Sequence, residues 1–333
     1  MKRRAAIVGL ALIVLVCVAV VVCQAPLAEW RSLASVRRVD DYPLYVMHHY
    51  GDYGFGAFLQ RGIGQGQAGS TGTPPGSAWA CTVFAALNPS ANALLGRSFD
   101  WCNRQTLLMF TDPPDGYASV SLVDVSYLGF PRDNPSWADR RALLEAPYLP
   151  FDGMNERGLA VGMMAVSHAQ DSDSPQKVTI SSLHAIRLVL DYAADVDEAI
   201  SLLQGYTIDF GSPPIHYLLG DRSGHSAVIE YLDGEMTVLR NDQPWQVSTN
   251  FILAQERPVG AGSPCWRYNR AYSRLEQSQG AISSAEAMSL LEDVSQANTM
   301  WSVVYDMTGG DVQVAMGRQF NQVHSFHLRP RDQ

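Results

Sequence analysis

The stretch CTVFAALNPSANALLGRSFDW, residues 81–101, reads as a β-hairpin. CTVFAAL is an apolar run of strand length, NPSAN is a cluster of turn formers, and ALLGRSFDW is a second apolar run that returns from it. With Leu87 opposite Ala93 or Leu94, Cys81 falls opposite Phe99 or Asp100, so the pairing alone brings Arg97 and Asp100 beside Cys81. A slip of one residue would exchange the two faces.

Immediately before the hairpin lies GIGQGQAGSTGTPPGSAWA, Gly62 to Ala80. Its Gly, Ser, Thr, Pro and Gln content favours an exposed, flexible and cleavable linker. Upstream, DDYPLYVMHHYGDYGF (residues 40–55) is rich in aromatics and suits a strand and turn. The extreme N-terminus carries Lys2, Arg3 and Arg4, followed by an uncharged run from Ala5 to Cys23. That run approaches the ~20 residues needed to cross a bilayer. Its basic start places the remainder outside the cytoplasm. Pro26 directly after Ala25 makes a poor signal-peptidase exit, which favours an uncleaved anchor over a removed signal. The expected organisation is therefore residues 1–23 as membrane anchor or signal, 24–80 as leader and linker, and 81–333 as the main domain, which is membrane-anchored or secreted and extracytoplasmic.

The 333-residue chain is 47% hydrophobic, enough for a sizeable core, and only 17% charged, too few for wholesale disorder. Its net charge of -9, without runs of Lys or Arg, excludes a nucleic-acid partner. Cys17 and Cys23 fall in the apolar segment, which leaves Cys81, Cys102 and Cys265 for the exported part. Three is odd, so at least one thiol has no intramolecular disulfide partner. Catalysis and simple burial both account for such a thiol.

Downstream, GLAVGMMAVS (Gly158 to Ser167) has the character of a buried strand. Apolar spacing predicts helices over Ile180 to Tyr192 and Asp197 to Gln204, the second with a start signal at Asp195 and Glu198. A meander follows (HYLLG, HSAVIEYLDG, EMTVLRN, WQVSTNF), turning at DRSG, DG and ND. Two more helices, near Tyr268 to Gln277 and Ala285 to Ser295, precede a closing hairpin, WSVVYDM with DVQVAM, and a last strand near VHSFHL; Ser283 with Glu286 forms a capping-box pattern. Strand runs with helices grouped between them indicate layered α+β architecture.

A cysteine that opens a strand behind a cleavable linker suits a residue uncovered by chain cleavage. Its thiolate can attack a carbonyl, and its own α-amine, with a pKa near ~8, can serve as base and then acid. No histidine is required.

The ordered motifs resemble those of the choloylglycine hydrolases and their relatives: penicillin V acylases, acid ceramidases, N-acylethanolamine acid amidases and isopenicillin-type acyltransferases, all N-terminal-nucleophile enzymes acting on linear amides. The resemblance rests on CTVFAAL with GRSFDW, DGMNERGLAVG (Asp152 to Gly162), STNF (Ser248 to Phe251), WRYNRAY (Trp266 to Tyr272) and NTMWSVVYD (Asn298 to Asp306). It implies a four-layer αββα sandwich, hydrolysis of a small-molecule linear amide after cleavage before Cys81, and no cofactor or metal. It implies Cys81 as nucleophile, Asp100 as partner of the freed amine, Arg97 beside the thiol and paired with Asp100, and Asn250 as oxyanion donor. A backbone N–H near Met164 or Ala165 would be the second donor. Asn155 would organise the strand entry, and Arg267, with Arg270 as its rival, would be the late arginine. In TNF the chain looks more like acyltransferase-type relatives, so acyl transfer is an alternative to hydrolysis. Eighty residues precede the cysteine, and the acid ceramidase branch keeps a comparable leader as a bound subunit, so residues Asp40 to Phe58 are expected to pack on the core. Oligomeric state is not legible.

Three rival readings carry fewer signals. A His-dependent cysteine protease would draw on His184, His225 or His324, none in a recognisable context. A metal site would draw on His48 and His49, or on His324 and His327, which lack dependable zinc spacing. A non-catalytic exported binding module has no need of an unpaired cysteine behind a cleavable linker. Trp79, Trp101, Phe110, Tyr117, Trp137, Met163 and Met164 are candidates for an apolar pocket wall, and core packing accounts for such residues equally well.

Overall fold

In the computed structural model the residues described are 27–63, 80–101, 105–131, 135–170, 176–211, 213–256, 262–263 and 265–329. The expected anchor, most of the linker, Trp79 and Cys102 lie outside them.

The 81–101 hairpin forms as the sequence predicts. Strands β3 (Ala80–Ala86) and β4 (Leu94–Asp100) pair antiparallel, with Cys81 opposite Phe99 and Ala80 opposite Asp100. Both strands are buried along both faces, which is why they read as unbroken apolar runs instead of alternating ones. Val83 and Ala85 face one core and Phe84 and Ala86 the other. At Gly96 the Phe84 ring takes the space of a side chain; a Cβ there would sit 2.2 Å from the ring carbon Cζ.

The hairpin is the middle of a six-stranded sheet ordered β14-β3-β4-β15-β16-β17. The added strands are β14 (Trp245–Ser248), β15 (Thr299–Asp306), β16 (Asp311–Met316) and β17 (Val323–His327). The facing sheet has nine strands, ordered β1-β2-β5-β6-β7-β8-β11-β12-β13. These are β1 (Arg37–Asp40), β2 (Leu44–His49), β5 (Thr106–Thr111), β6 (Ser119–Asp124), β7 (Asp152–Asn155), β8 (Leu159–Ala165), β11 (Ile215–Asp221), β12 (Ser226–Leu232) and β13 (Glu235–Arg240). β9 (Thr179–Ser181) and β10 (Thr207–Asp209) form a small parallel pair. The DG turn between β12 and β13 places Asp233 and Gly234 at φ 52° and 78°, the left-handed pair a two-residue hairpin requires.

Four helices cover the sheets. Helix α1 (Ser182–Tyr192) packs on β7 and β8, and α2 (Val196–Gln204) on β11; α3 (Trp266–Ser278) packs on β14 and β3, and α4 (Ser284–Asp293) on β15 and β4. The two sheets meet where β3 faces β8 and β11, and where β12 faces β14. The order is helix, sheet, sheet, helix: the four-layer αββα sandwich that the resemblance implies. Caps set the helix ends. Asp195 accepts the Glu198 N–H to start α2, and Ser283 with Glu286 completes a capping box on α4, both as the sequence indicates. α1 starts later than the apolar spacing suggested, because Ser181 and His184 form a capping box and β9 claims the residues before it.

Residues 37–59 are woven into this fold. β2 pairs in parallel with β5, burying Leu44, Val46 and Met47. A short helix, Phe55–Leu59, adds Phe55 and Leu59 to the main core. The Tyr53 hydroxyl donates to Asp191 Oδ2 at 2.6 Å, within a buried network where Arg187 also holds Asp191, Thr111, Ser119 and Ser121. At the far edge His324 Nε2 lies 2.5 Å from Asp40 Oδ2, tying β17 to β1. Among the described residues no helix is long and apolar enough to cross a membrane.

Candidate active site

β3 is the spine of the site. On its β4 side, Arg97 lies two residues before Phe99, the partner of Cys81, and so shares the Cys81 face. On its other side β14 pairs Ser248 with Val83; two residues farther along that register, Asn250 arrives at Cys81. The Asn250 side-chain oxygen accepts the Cys81 backbone N–H at 2.6 Å. Its amide nitrogen donates to the Ala165 carbonyl at 2.7 Å, across to the other sheet. Arg267, in the first turn of α3, donates from Nη1 to the Cys81 carbonyl and to Thr82 Oγ1, and from Nη2 to Asn250 Oδ1 at 2.9 Å. This separates it from Arg270, whose side chain is 59% exposed and pairs with Asp293 on the surface.

Arg97 is fully buried, and its charge is matched by Asp152 rather than by Asp100, which corrects the expected pairing. Asp152 opens β7 in the facing sheet and also accepts from Trp301 Nε1 at 3.0 Å and from the Tyr305 hydroxyl at 2.5 Å. Arg97 Nη2 donates to the Met163 carbonyl at 3.0 Å, and its guanidinium lies 4.7 Å from the Phe99 ring centroid.

Asp100 instead takes hydroxyls. Its Oδ1 accepts from Ser98 at 2.7 Å and from Thr299 at 2.6 Å. Its Oδ2 is buried without a hydrogen-bond partner. Burial raises this carboxyl from its ordinary 3.8 to about 6, against the pull of Thr299, Ser98, Arg267 and Arg97. Burial also pushes the Cys81 thiol up; Arg97, the Asp100 N–H and Arg267 lower it only in part. In the intact chain desolvation of the thiol outweighs the neighbouring positive charge.

Asn155 does not join this cluster. Its nitrogen donates to the Leu190 and Ala193 carbonyls, and its oxygen accepts the Arg157 and Leu159 N–H groups. Every polar atom of the side chain is engaged, so Asn155 ties the β7–β8 turn to the end of α1. Of the two backbone donors considered, Ala165 suits the site better. A strand residue directs its N–H and C=O to the same neighbour. The Met163 and Ala165 carbonyls turn to Arg97 and Asn250, so the Ala165 N–H turns that way, while Met164 faces β11.

Cys81 opens onto a small apolar pocket of about 60 Å³ lined chiefly by Phe99, Trp101, Tyr127, Phe151, Met163 and Phe210. Trp101 and Met163 were anticipated. Phe110 stacks on His48, Trp137 is exposed, Met164 belongs to the core, and Tyr117 lies under Arg157. The sequence reading passed over Asp152, Thr299, Trp301 and Tyr305, although each lies at or inside a motif it quoted. The available signal was a carboxylate opening an apolar strand, since a buried charge demands partners.

Residues 140–251 match the model for linear amide C–N hydrolases, choloylglycine hydrolase family. The chain is 28% identical over 190 residues to a penicillin V acylase of Pectobacterium atrosepticum, an alignment covering 51% of this chain and 49% of the relative. Over residues 140–251 the chain is similar to the choloylglycine hydrolase family. It spans about half the length of that curated relative. Two solved structures share the fold. Penicillin V acylase from Agrobacterium tumefaciens superposes with a TM-score of 0.54 at 19% identity, over 74% of this chain and 86% of the other. A mutant of the conjugated bile acid hydrolase from Clostridium perfringens gives 0.53 at 16% identity, over 74% and 92%.

Proposed function

We propose that this chain hydrolyses a linear amide with Cys81 as nucleophile, after the peptide bond between Ala80 and Cys81 is cut. The observation that carries the reading is that Asn250 and Arg267 both bond the backbone of one cysteine whose sulfur borders an apolar pocket.

In the intact chain Cys81 nitrogen is an amide and its thiol is held neutral by burial. The sulfur can attack the Ala80 carbonyl carbon; the C–N bond breaks, the nitrogen takes the thiol proton, and water hydrolyses the resulting thioester. The new α-amine can then bond the open Asp100 oxygen. With substrate, that amine takes the Cys81 proton as sulfur adds to the amide carbonyl. The oxyanion is held by Asn250 Nδ2 and the Ala165 N–H, each donor worth about 3 kcal/mol of barrier. The amine returns the proton to the leaving nitrogen, and water then releases the acyl group from sulfur.

The pocket favours an uncharged acyl group. Its cation, Arg97, is already neutralised by Asp152, so an acid on the acyl chain would lose its hydration without gaining a partner. Residues 1–23 are proposed to hold the catalytic domain at the outer face of a membrane. The reading is tested with a panel of acyl-aminomethylcoumarins from phenylacetyl to lauroyl. Release of the coumarin by wild type but not by Cys81→Ala supports it; equal release by both removes it.

A further inference from the structure

The segment carrying Asn250 is braced from behind by a buried pair that the proposed chemistry does not touch. His216 on β11 and Glu230 on β12 are both wholly buried, with Nδ1 and Oε1 3.0 Å apart. His216 Nε2 lies 2.7 Å from the Thr249 carbonyl, and because a carbonyl only accepts, the imidazole donates there. Glu230 receives the Leu253 N–H on Oε1 at 2.8 Å and the Ala254 N–H on Oε2 at 2.9 Å. The pair therefore grips the chain on both sides of Asn250, at the residue before it and at the third and fourth residues after it.

Such a pair is not what stability alone selects at this depth, since well-packed apolar side chains commonly do as well or better than a buried ionic pair. What it does supply is direction. His216 and Glu230 belong to the nine-stranded sheet, whereas the Thr249 backbone continues β14 of the six-stranded one. The bonds fix one sheet's active-site segment against the other at the place where Asn250 must reach both Cys81 and Ala165.

We infer that His216 and Glu230 are positioning residues for amide cleavage, acting through Asn250. The inference rests on the role proposed above for Asn250. It adds that the placement of that side chain is set by a histidine–glutamate brace remote from the substrate.

A double-mutant cycle tests it, with coumarin release from the best acyl-aminomethylcoumarin of the panel counted per cleaved chain by intact mass. His216→Gln and Glu230→Gln each lower kcat about tenfold or more, while KM stays within about threefold. In an Asn250→Ala background, adding His216→Gln lowers kcat by less than about threefold, because the residue it positions is gone. Multiplicative losses, or a loss confined to KM, overturn the inference and leave the role of Asn250 standing. If Asn250→Ala alone turns over like wild type, the proposed site itself fails and the inference falls with it. Glu230→Gln carries the same cycle if His216→Gln does not fold.

Discussion

The side-chain oxygen of Asn250 accepts the backbone N–H of Cys81 at 2.6 Å, joining positions 169 residues apart in the chain. The bond spends the oxygen of Asn250 on the nucleophile, and since one NH2 hydrogen goes to the Ala165 carbonyl, the other is left to serve the reaction. Asn250→Ala is therefore expected to lower kcat by about a hundredfold or more, as loss of an oxyanion donor does. Steady-state kinetics on cleaved protein check this, and a loss under threefold would remove the assignment.

Asp100 makes the intact chain sensitive to pH. Its folded pKa of about 6 lies above the ordinary 3.8, so the folded state binds the proton more tightly than the unfolded state does. Stability is consequently lost as pH rises from about 4 to about 6, by roughly 3 kcal/mol. In an uncut Cys81→Ala chain, Asp100→Asn should raise the melting temperature at pH 8 and not at pH 4. In otherwise wild-type, cleaved enzyme the same substitution should cut turnover at least tenfold. A stability change independent of pH would contradict the burial argument.

Cleavage before Cys81 should not release the leader. Leu44, Val46, Met47, Phe55 and Leu59 are buried, and Tyr53 completes the Arg187–Asp191 network. The fragments are expected to co-elute under native conditions and to separate in denaturant. Phe55→Ala should cost about 3–5 kcal/mol and promote dissociation. Elution of the main fragment alone, still folded and active, would show that the leader is dispensable.

Local patterns in the sequence were sufficient for the hairpin and the caps on α2 and α4, whereas Asn250 and Arg267 were singled out only by the resemblance. Turn formers bracket that hairpin, and each cap is a short-range pairing. What escaped was long-range. The partner of Arg97 is Asp152, on the other sheet, and no local pattern shows which carboxylate will face a given cation across two layers. His216 and Glu230 lie in strands that read as ordinary meander, and their purpose emerges only when β14 is laid against them. β2 pairs in parallel with β5, a long-range pairing that no hairpin turn in the sequence announces.

Gly96 reports on the helix-side core. A side chain there must displace the Phe84 ring, which packs beneath α3 and α4. Gly96→Val should destabilise the uncut Cys81→Ala chain by about 1–3 kcal/mol, read by urea unfolding. An unchanged midpoint would mean that the ring is not held over the strand.

Intact-mass analysis of active wild-type protein beside Cys81→Ala tests the account most directly. The account predicts a wild-type fragment beginning at Cys81 and carrying all of the activity, and a variant that remains uncut and inert. A fully active chain still joined between Ala80 and Cys81 would contradict it.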